Sequence, residues 1–202
     1  MEPSFKLVLA DPNGGLCEKW REDFEPHLGV EIHEGRFEDV EFDCVVSPAN
    51  SFGLMDGGVD EAITMYFGQQ MMDRVQNRII KRYGGEQPVG TSLLVLGSDL
   101  GEREQFVAHT PTMIIPMDIG KTTNVYMAMK AMLCEIERYN DNTSTHQIKT
   151  VVCPGLGTGA GRVSFDSASK QMLNAYNNVY NPPEVLDWEF AVSRYNNIIT
   201  NR

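Results

Sequence analysis

The sequence is poor in several signatures that would settle function early. Its four cysteines, Cys17, Cys44, Cys134 and Cys153, contain no C-x-x-C pair. None has a histidine at zinc-ligand spacing, so no metal site is expected. Cys44 and Cys153 sit in apolar, strand-like runs, where a thiol behaves as a small hydrophobe; all four are read as reduced and structural. Positive charge is scarce: 17 Lys and Arg stand against 28 Asp and Glu, a formal net charge of −11. That balance argues against general nucleic-acid binding, which needs cations to displace phosphate counterions. It leaves room for one small anion, because a diphosphate is held well by backbone N–H groups alone. No apolar run approaches the roughly 18 residues that span a bilayer. The opening Met1-Glu2-Pro3-Ser4-Phe5-Lys6 lacks a basic segment followed by a long apolar stretch, so no secretory signal and a cytoplasmic address are expected. There is no internal repeat and no linker.

What is present is an ordinary globular composition, 42% hydrophobic and 22% charged, sufficient for a substantial core. Strand-like and helix-like segments alternate. Phe5–Ala10 reads as a strand, closed by Asp11-Pro12-Asn13-Gly14-Gly15. Leu16, Trp20, Phe24 and Leu28 recur every four residues as a helical stripe. Val30–His33 and Phe42–Val46 read as further strands. Val59, Ile63 and Phe67, then Met72, Val75, Ile79 and Tyr83, fall at helical spacing. Thr91–Leu96 and Gln105–His109 read as strands, Thr122–Tyr139 as a long helix and Asn140–Thr145 as a polar loop. Thr150–Cys153 is a strand entering a glycine-rich loop, followed by a helix carrying Ala168, Met172, Ala175 and Val179. Beyond Asn181-Pro182-Pro183, the spacing of Trp188, Phe190, Val192 and Tyr195 predicts a last helix, over 183–200, packed on the body. Strands separated by helices imply a three-layer α/β/α sandwich around a mixed, mostly parallel sheet, forming one domain over 1–202. In such sheets ligands bind at the carboxyl ends of the strands.

Two glycine-rich loops follow buried strands. The first runs Ser47-Pro48-Ala49-Asn50-Ser51-Phe52-Gly53-Leu54-Met55-Asp56-Gly57-Gly58-Val59-Asp60. Gly57 and Gly58 allow close backbone approach, and Asp60 falls in a helix first turn, where the dipole favours a carboxylate. Turn residue and helix-start residue are the plain alternatives for Asn50 and Asp60. The second loop is Pro154-Gly155-Leu156-Gly157-Thr158-Gly159-Ala160-Gly161-Arg162. Its alternating glycines suit a nest of N–H groups. It matches neither G-x-G-x-x-G nor a Gly-Lys-Ser/Thr phosphate loop, which disfavours dinucleotide and triphosphate chemistry.

Together the two loops resemble the ligand loops of a macro domain. Val45-Val46-Ser47-Pro48-Ala49-Asn50-Ser51, followed by Gly57-Gly58-Val59-Asp60, is similar to that family's Asn-ended strand and Gly-rich loop closing on Val-Asp. Ten positions separate Asn50 from Asp60, the family's interval. The likeness extends over about residues 30–180 and is most specific at these loops. It implies ADP-ribose or a derivative lying across the sheet crest, with no cofactor and no metal. Asn50 and Asp60 would face the distal ribose as the catalytic pair. Gly57, Gly58 and Val59 would flank the phosphates, and Gly157, Thr158, Gly159, Ala160 and Gly161, with Arg162, would close over them. The implied activity is hydrolysis of a group on the distal ribose, with Asp60 activating water. A non-catalytic ADP-ribose reader and a phosphatase acting on ADP-ribose 1″-phosphate stay open as alternatives. The phosphatase would enlist His109 or Asp56, although His109 in an apolar strand reads first as a core histidine. A scaffold that kept the fold and lost the ligand is a further alternative. Three departures from the family pattern stand out. Gly35-Arg36-Phe37 replaces a Gly-Asp-Ile segment whose Asp pairs with adenine, so that either Glu34 or Glu38 substitutes or adenine is only weakly recognised. Asp56 adds a carboxylate near the ligand. Phe165 is the nearest counterpart of an aromatic that follows the second loop.

Overall fold

The computed structural model describes residues 2–25, 27, 29–99 and 104–200. Among them six strands form one sheet in the order β2-β1-β6-β3-β5-β4. These are β1 (Lys6–Asp11), β2 (Val30–Glu34), β3 (Cys44–Ser47), β4 (Leu93–Asp99), β5 (Glu104–His109) and β6 (Thr150–Cys153). All neighbours pair in parallel except β4, which runs antiparallel to β5 along the edge, with a register shift between Leu96 and Ser98.

The inner strands are apolar on both faces, as a sheet covered on both sides requires. Leu7, Leu9, Cys44, Val46 and Val151 face a core built with α1 (Gly14–Phe24), α4 (Asn124–Asn142) and α5 (Phe165–Tyr180). Val8, Val45, Val107 and Val152 face the other core, built with α2 (Gly58–Phe67) and α3 (Gln70–Tyr83). The three-layer, mostly parallel sandwich expected from the sequence is therefore present. Asn13 caps α1 by accepting from the Gly15 N–H at 3.1 Å. Ser164 caps α5 by accepting from the Ser167 N–H at 3.2 Å; each satisfies an otherwise orphaned first-turn donor.

Several boundaries differ from the sequence reading. The apolar stripe from Val59 to Tyr83 is two helices, broken at Gly68, whose φ of +90° only glycine adopts cheaply. The expected loop from Asn140 starts later, because α4 continues to Asn142. Asn140 is buried, with Nδ2 donating to the Ile148 carbonyl at 2.8 Å and Oδ1 accepting from the Ile148 N–H at 2.8 Å. These tertiary bonds keep a polar residue inside the helix. The last helix, α6 (Trp188–Thr200), forms but packs far less than expected. Ile198 touches the core, while Trp188, Val192 and Tyr195 are exposed. Leu28 lies outside the described residues. Cys17, Cys44 and Cys153 are buried and Cys134 is exposed, all as free thiols.

Strand order positions the site. Since β6 lies between β1 and β3 and all three are parallel, the loops leaving β1, β6 and β3 emerge side by side at one crest.

Candidate functional site

A cleft of about 340 Å³ opens at this crest. One wall comes from the segment after β3: Asn50, Leu54, Asp56, Gly57, Gly58, Val59 and Asp60. The other comes from the segment after β6: Gly157, Gly159, Ala160 and Gly161. A second lobe, of about 310 Å³, adjoins it and shares Val59, Gly155 and Gly159. Thr158 belongs to that lobe, with Ala10, Asp11, Pro12, Phe37, Glu38 and Pro154. The two lobes make one elongated groove, apolar at one end and bordered by glycines at its middle.

The glycines are not interchangeable. A Cβ on Gly57, Gly58 or Gly159 would meet nothing within 4 Å, so the space above them is open for a ligand. Gly157 is different: its φ is +72° and a Cβ would press on Val125, Ile119 and Val163. A Cβ on Gly161 would lie 2.5 Å from the Gly157 carbonyl oxygen. The loop is thus wound tightly on itself and smooth toward the cleft. Among the described residues, no protein acceptor takes the backbone N–H groups of Gly157, Thr158, Gly159 or Ala160. The first N–H groups of α2 also lack intrahelical partners, as at any helix start. Unpaired donors of the second loop and the start of α2, with its dipole, therefore border this groove, a setting that favours an anion.

Asp60, in the first turn of α2, accepts from the Ser47 hydroxyl at Oδ1 over 2.7 Å. Part of Asp60 stays open to the cleft, yet burial of the carboxyl outweighs the Ser47 bond. Assisted by the nearby Asp56 charge, it lifts the pKa to about 7. Asn50, in the loop just past β3, makes an isolated parallel bridge to Met113. Its Oδ1 accepts from the Phe52 N–H at 3.1 Å and the Leu54 N–H at 3.3 Å, and its Nδ2 donates to the Leu54 carbonyl at 2.8 Å. Both acceptor sites and one of two donors are spent inside its own loop, leaving one N–H for the cleft. The turn reading of Asn50 thus holds, and the residue still borders the cleft.

Other expected residues fall elsewhere. Arg162 is exposed, with φ of +53°, and borders neither lobe. Phe165, the first residue of α5, packs toward Gly15 of α1 instead of rimming the groove. His109 is buried, with Nδ1 2.7 Å from Gln87 Oε1 and its pKa lowered to about 3 by burial. It does not border the cleft, so the phosphatase alternative retains only Asp56 of its two named groups. Of the acids considered for the Gly35-Arg36-Phe37 segment, Glu38 lines the second lobe, whereas Glu34 pairs with Arg21 at 2.9 Å and does not. Sequence reasoning overlooked Thr112, Met113 and Pro116 after β5, and Asp11 and Pro12 at the end of β1. Their position after parallel strands was the available signal, since every such strand ends at the crest.

Fold and cleft define an α/β domain with a glycine-walled cleft at the crest of its sheet. The Macro domain family matches residues 46–172, well over half of the 202 residues, and the chain belongs to that family. A protein of Aquifex aeolicus with no described role is 29% identical over 146 residues, covering 72% of this chain and 79% of that one. Among solved structures, the macrodomain of Mycobacterium tuberculosis DarG superposes with a TM-score of 0.58 at 17% identity, covering 72% of this chain and 88% of its own. A substituted Oceanobacillus iheyensis macrodomain with ADPR gives 0.56 at 20% identity, covering 80% and 86%.

Proposed function

We propose that the chain binds ADP-ribose along the two-lobed groove and hydrolyses a group attached to its distal ribose. The observation that carries this reading is the convergence of unpaired backbone donors on a glycine-smooth cleft beside a single enclosed carboxyl. The diphosphate sits over Gly58–Val59 and Gly157–Ala160, where N–H groups replace its hydration, while Arg36, which lines the adjoining lobe, is paired with Glu38. Adenine occupies the apolar lobe between Pro12, Phe37, Val59 and Pro154, with Glu38 accepting from its amino group in place of the family's Asp. The structure of a relative with ADPR supports the ligand class.

The distal ribose then lies against Asn50 and Asp60. With a pKa of about 7, Asp60 is a base matched to neutral pH. It takes a proton from water as the water oxygen attacks the anomeric carbon or an ester carbonyl carried by the ribose. The departing oxygen is protonated by solvent or by the acid form of Asp60. Ser47 orients the carboxylate through its 2.7 Å bond. Asn50 shapes the loop and offers its remaining N–H to a ribose hydroxyl. No step draws on a cofactor or metal.

Calorimetric titration with ADP-ribose, with ADP and NAD as controls, tests binding. Saturable uptake preferring ADP-ribose is expected. Absence of heat and of thermal stabilisation at millimolar ligand overturns it. Release of ADP-ribose from modified protein or nucleic-acid ends then separates enzyme from reader, with Asp60→Asn as the control that binds without turning over.

A further inference from the structure

A second groove, of about 1080 Å³, runs along the edge strand β4 between α3 and α4, away from the crest. On this acidic chain it is locally basic. Arg74, Arg78, Lys81 and Arg82 line it from α3, at i, i+4, i+7 and i+8 on one helix face. Among the described residues no carboxylate lies within ion-pair range of these four. Arg74 donates to the Leu96 and Gly97 carbonyls, at 3.3 and 2.6 Å. Arg82 lies over the Tyr83 ring. Arg78 and Lys81 are left exposed and uncommitted. Like charges at successive turns repel one another, so the cluster costs stability unless something anionic shares it.

We infer that this groove docks an acidic polypeptide segment whose carboxylates pair with Arg78, Lys81 and Arg82 while its apolar side chains rest on Leu94 and Leu96. Leu96 is 39% exposed on the open edge, an apolar floor between the basic wall of α3 and the Glu135–Arg138 ion pair on α4. Arg74 occupies two edge carbonyls and the register shift bends the strand there, so ordinary strand addition is blocked. Recognition therefore runs through side chains, which selects for charge.

The observations favour a peptide over a single-stranded nucleic acid. Such strands bind through free aromatic faces as well as cations. Here Phe67 is already engaged edge-on with Tyr66 and Phe42, and Tyr139 packs at a tilt against Phe106. The groove also offers few cations against a net charge of −11 that opposes a long phosphodiester.

The test is fluorescence anisotropy with three labelled probes: an alternating Glu-Leu octapeptide, the matching Lys-Leu octapeptide, and an oligothymidylate of equal charge. The full chain should bind the Glu-Leu probe at low salt, lose it as salt rises, and ignore the Lys-Leu probe. The double substitution Arg78→Glu with Lys81→Glu should weaken binding at least about tenfold, as reversed rim charges do. Lys149→Glu, outside the groove, should not. Unaltered circular dichroism and ADP-ribose titration check that the variants fold. No binding of the Glu-Leu probe, equal binding by the double variant, or tighter binding of the oligonucleotide each overturns the proposal.

Discussion

The enclosed carboxyl of Asp60 makes a quantitative prediction independent of any substrate. In the unfolded chain it ionises near 3.8, and in the folded protein near 7. Between those values the folded state holds a proton that the unfolded state has released. Stability therefore falls as pH rises through this window and levels off above it. At about 1.4 kcal/mol per pKa unit, the full displacement corresponds to about 4 kcal/mol. Water reaching Asp60 from the open cleft lowers the share realised between pH 5 and pH 8 to about 1–3 kcal/mol. Asp60→Asn removes the titration while still accepting from the Ser47 hydroxyl. Subtracting wild type from variant cancels every other titrating group. The difference in unfolding free energy, measured by urea denaturation without ligand, should grow by about 1–3 kcal/mol in favour of the variant between pH 5 and pH 8. In thermal melts that is a Tm difference widening by about 2–12 °C for a chain of this size. Asp56→Asn should move the window to lower pH, because Asp56 contributes to the displacement. Parallel pH curves for wild type and Asp60→Asn would refute the enclosed-carboxyl account, and with it the reason for assigning Asp60 as a base near neutrality.

Gly159→Val places a side chain in space where a Cβ meets nothing within 4 Å; ADP-ribose affinity should fall at least about tenfold with Tm nearly unchanged, as calorimetry and melting together would show. Gly161→Ala drives a methyl to 2.5 Å from the Gly157 carbonyl oxygen, so it should cost about 1–3 kcal/mol in denaturant unfolding; unaltered stability would mean that the second loop is not wound as described. Asn50→Ala removes three hydrogen bonds that hold residues 50–54. It should speed amide exchange at Phe52 and Leu54 as well as lower turnover, and a loss of rate with exchange unchanged would return Asn50 to a purely ligand-facing role. Of the two tryptophans, Trp20 is fully buried and Trp188 is 86% exposed. Trp20→Phe should therefore leave red-shifted emission open to acrylamide quenching, whereas shielded emission would show that α6 packs against something.

Strand β6 occupies the span its apolar run marked, and Asn50 and Asp60 border one cleft as the resemblance to a macro domain implied. The strand and the place of its loop followed from local patterns: a buried strand is a run of β-branched residues, and a glycine loop after it lies at the crest by topology. What escaped the sequence depends on direction and not on type. Trp188, Val192 and Tyr195 have helical spacing, and the helix exists, but periodicity shows only that these residues share a face, not what the face meets. Arg162 is the right residue to meet a phosphate, yet its left-handed backbone at φ +53° leaves it exposed and outside both lobes. Phe165 follows the capping Ser164, and a residue at that place in a helix is aimed by the helix start, here toward Gly15. Asn50 shows the deepest limit. Its interval from Asp60 matches the family's, but no spacing rule shows that its carboxamide first secures its own loop. A residue that both builds a loop and faces a ligand couples stability to rate, so its substitution reports on both at once. Asp60, held by one hydroxyl and opposed by desolvation, is the position where the two effects separate, with stability rising as the base is lost.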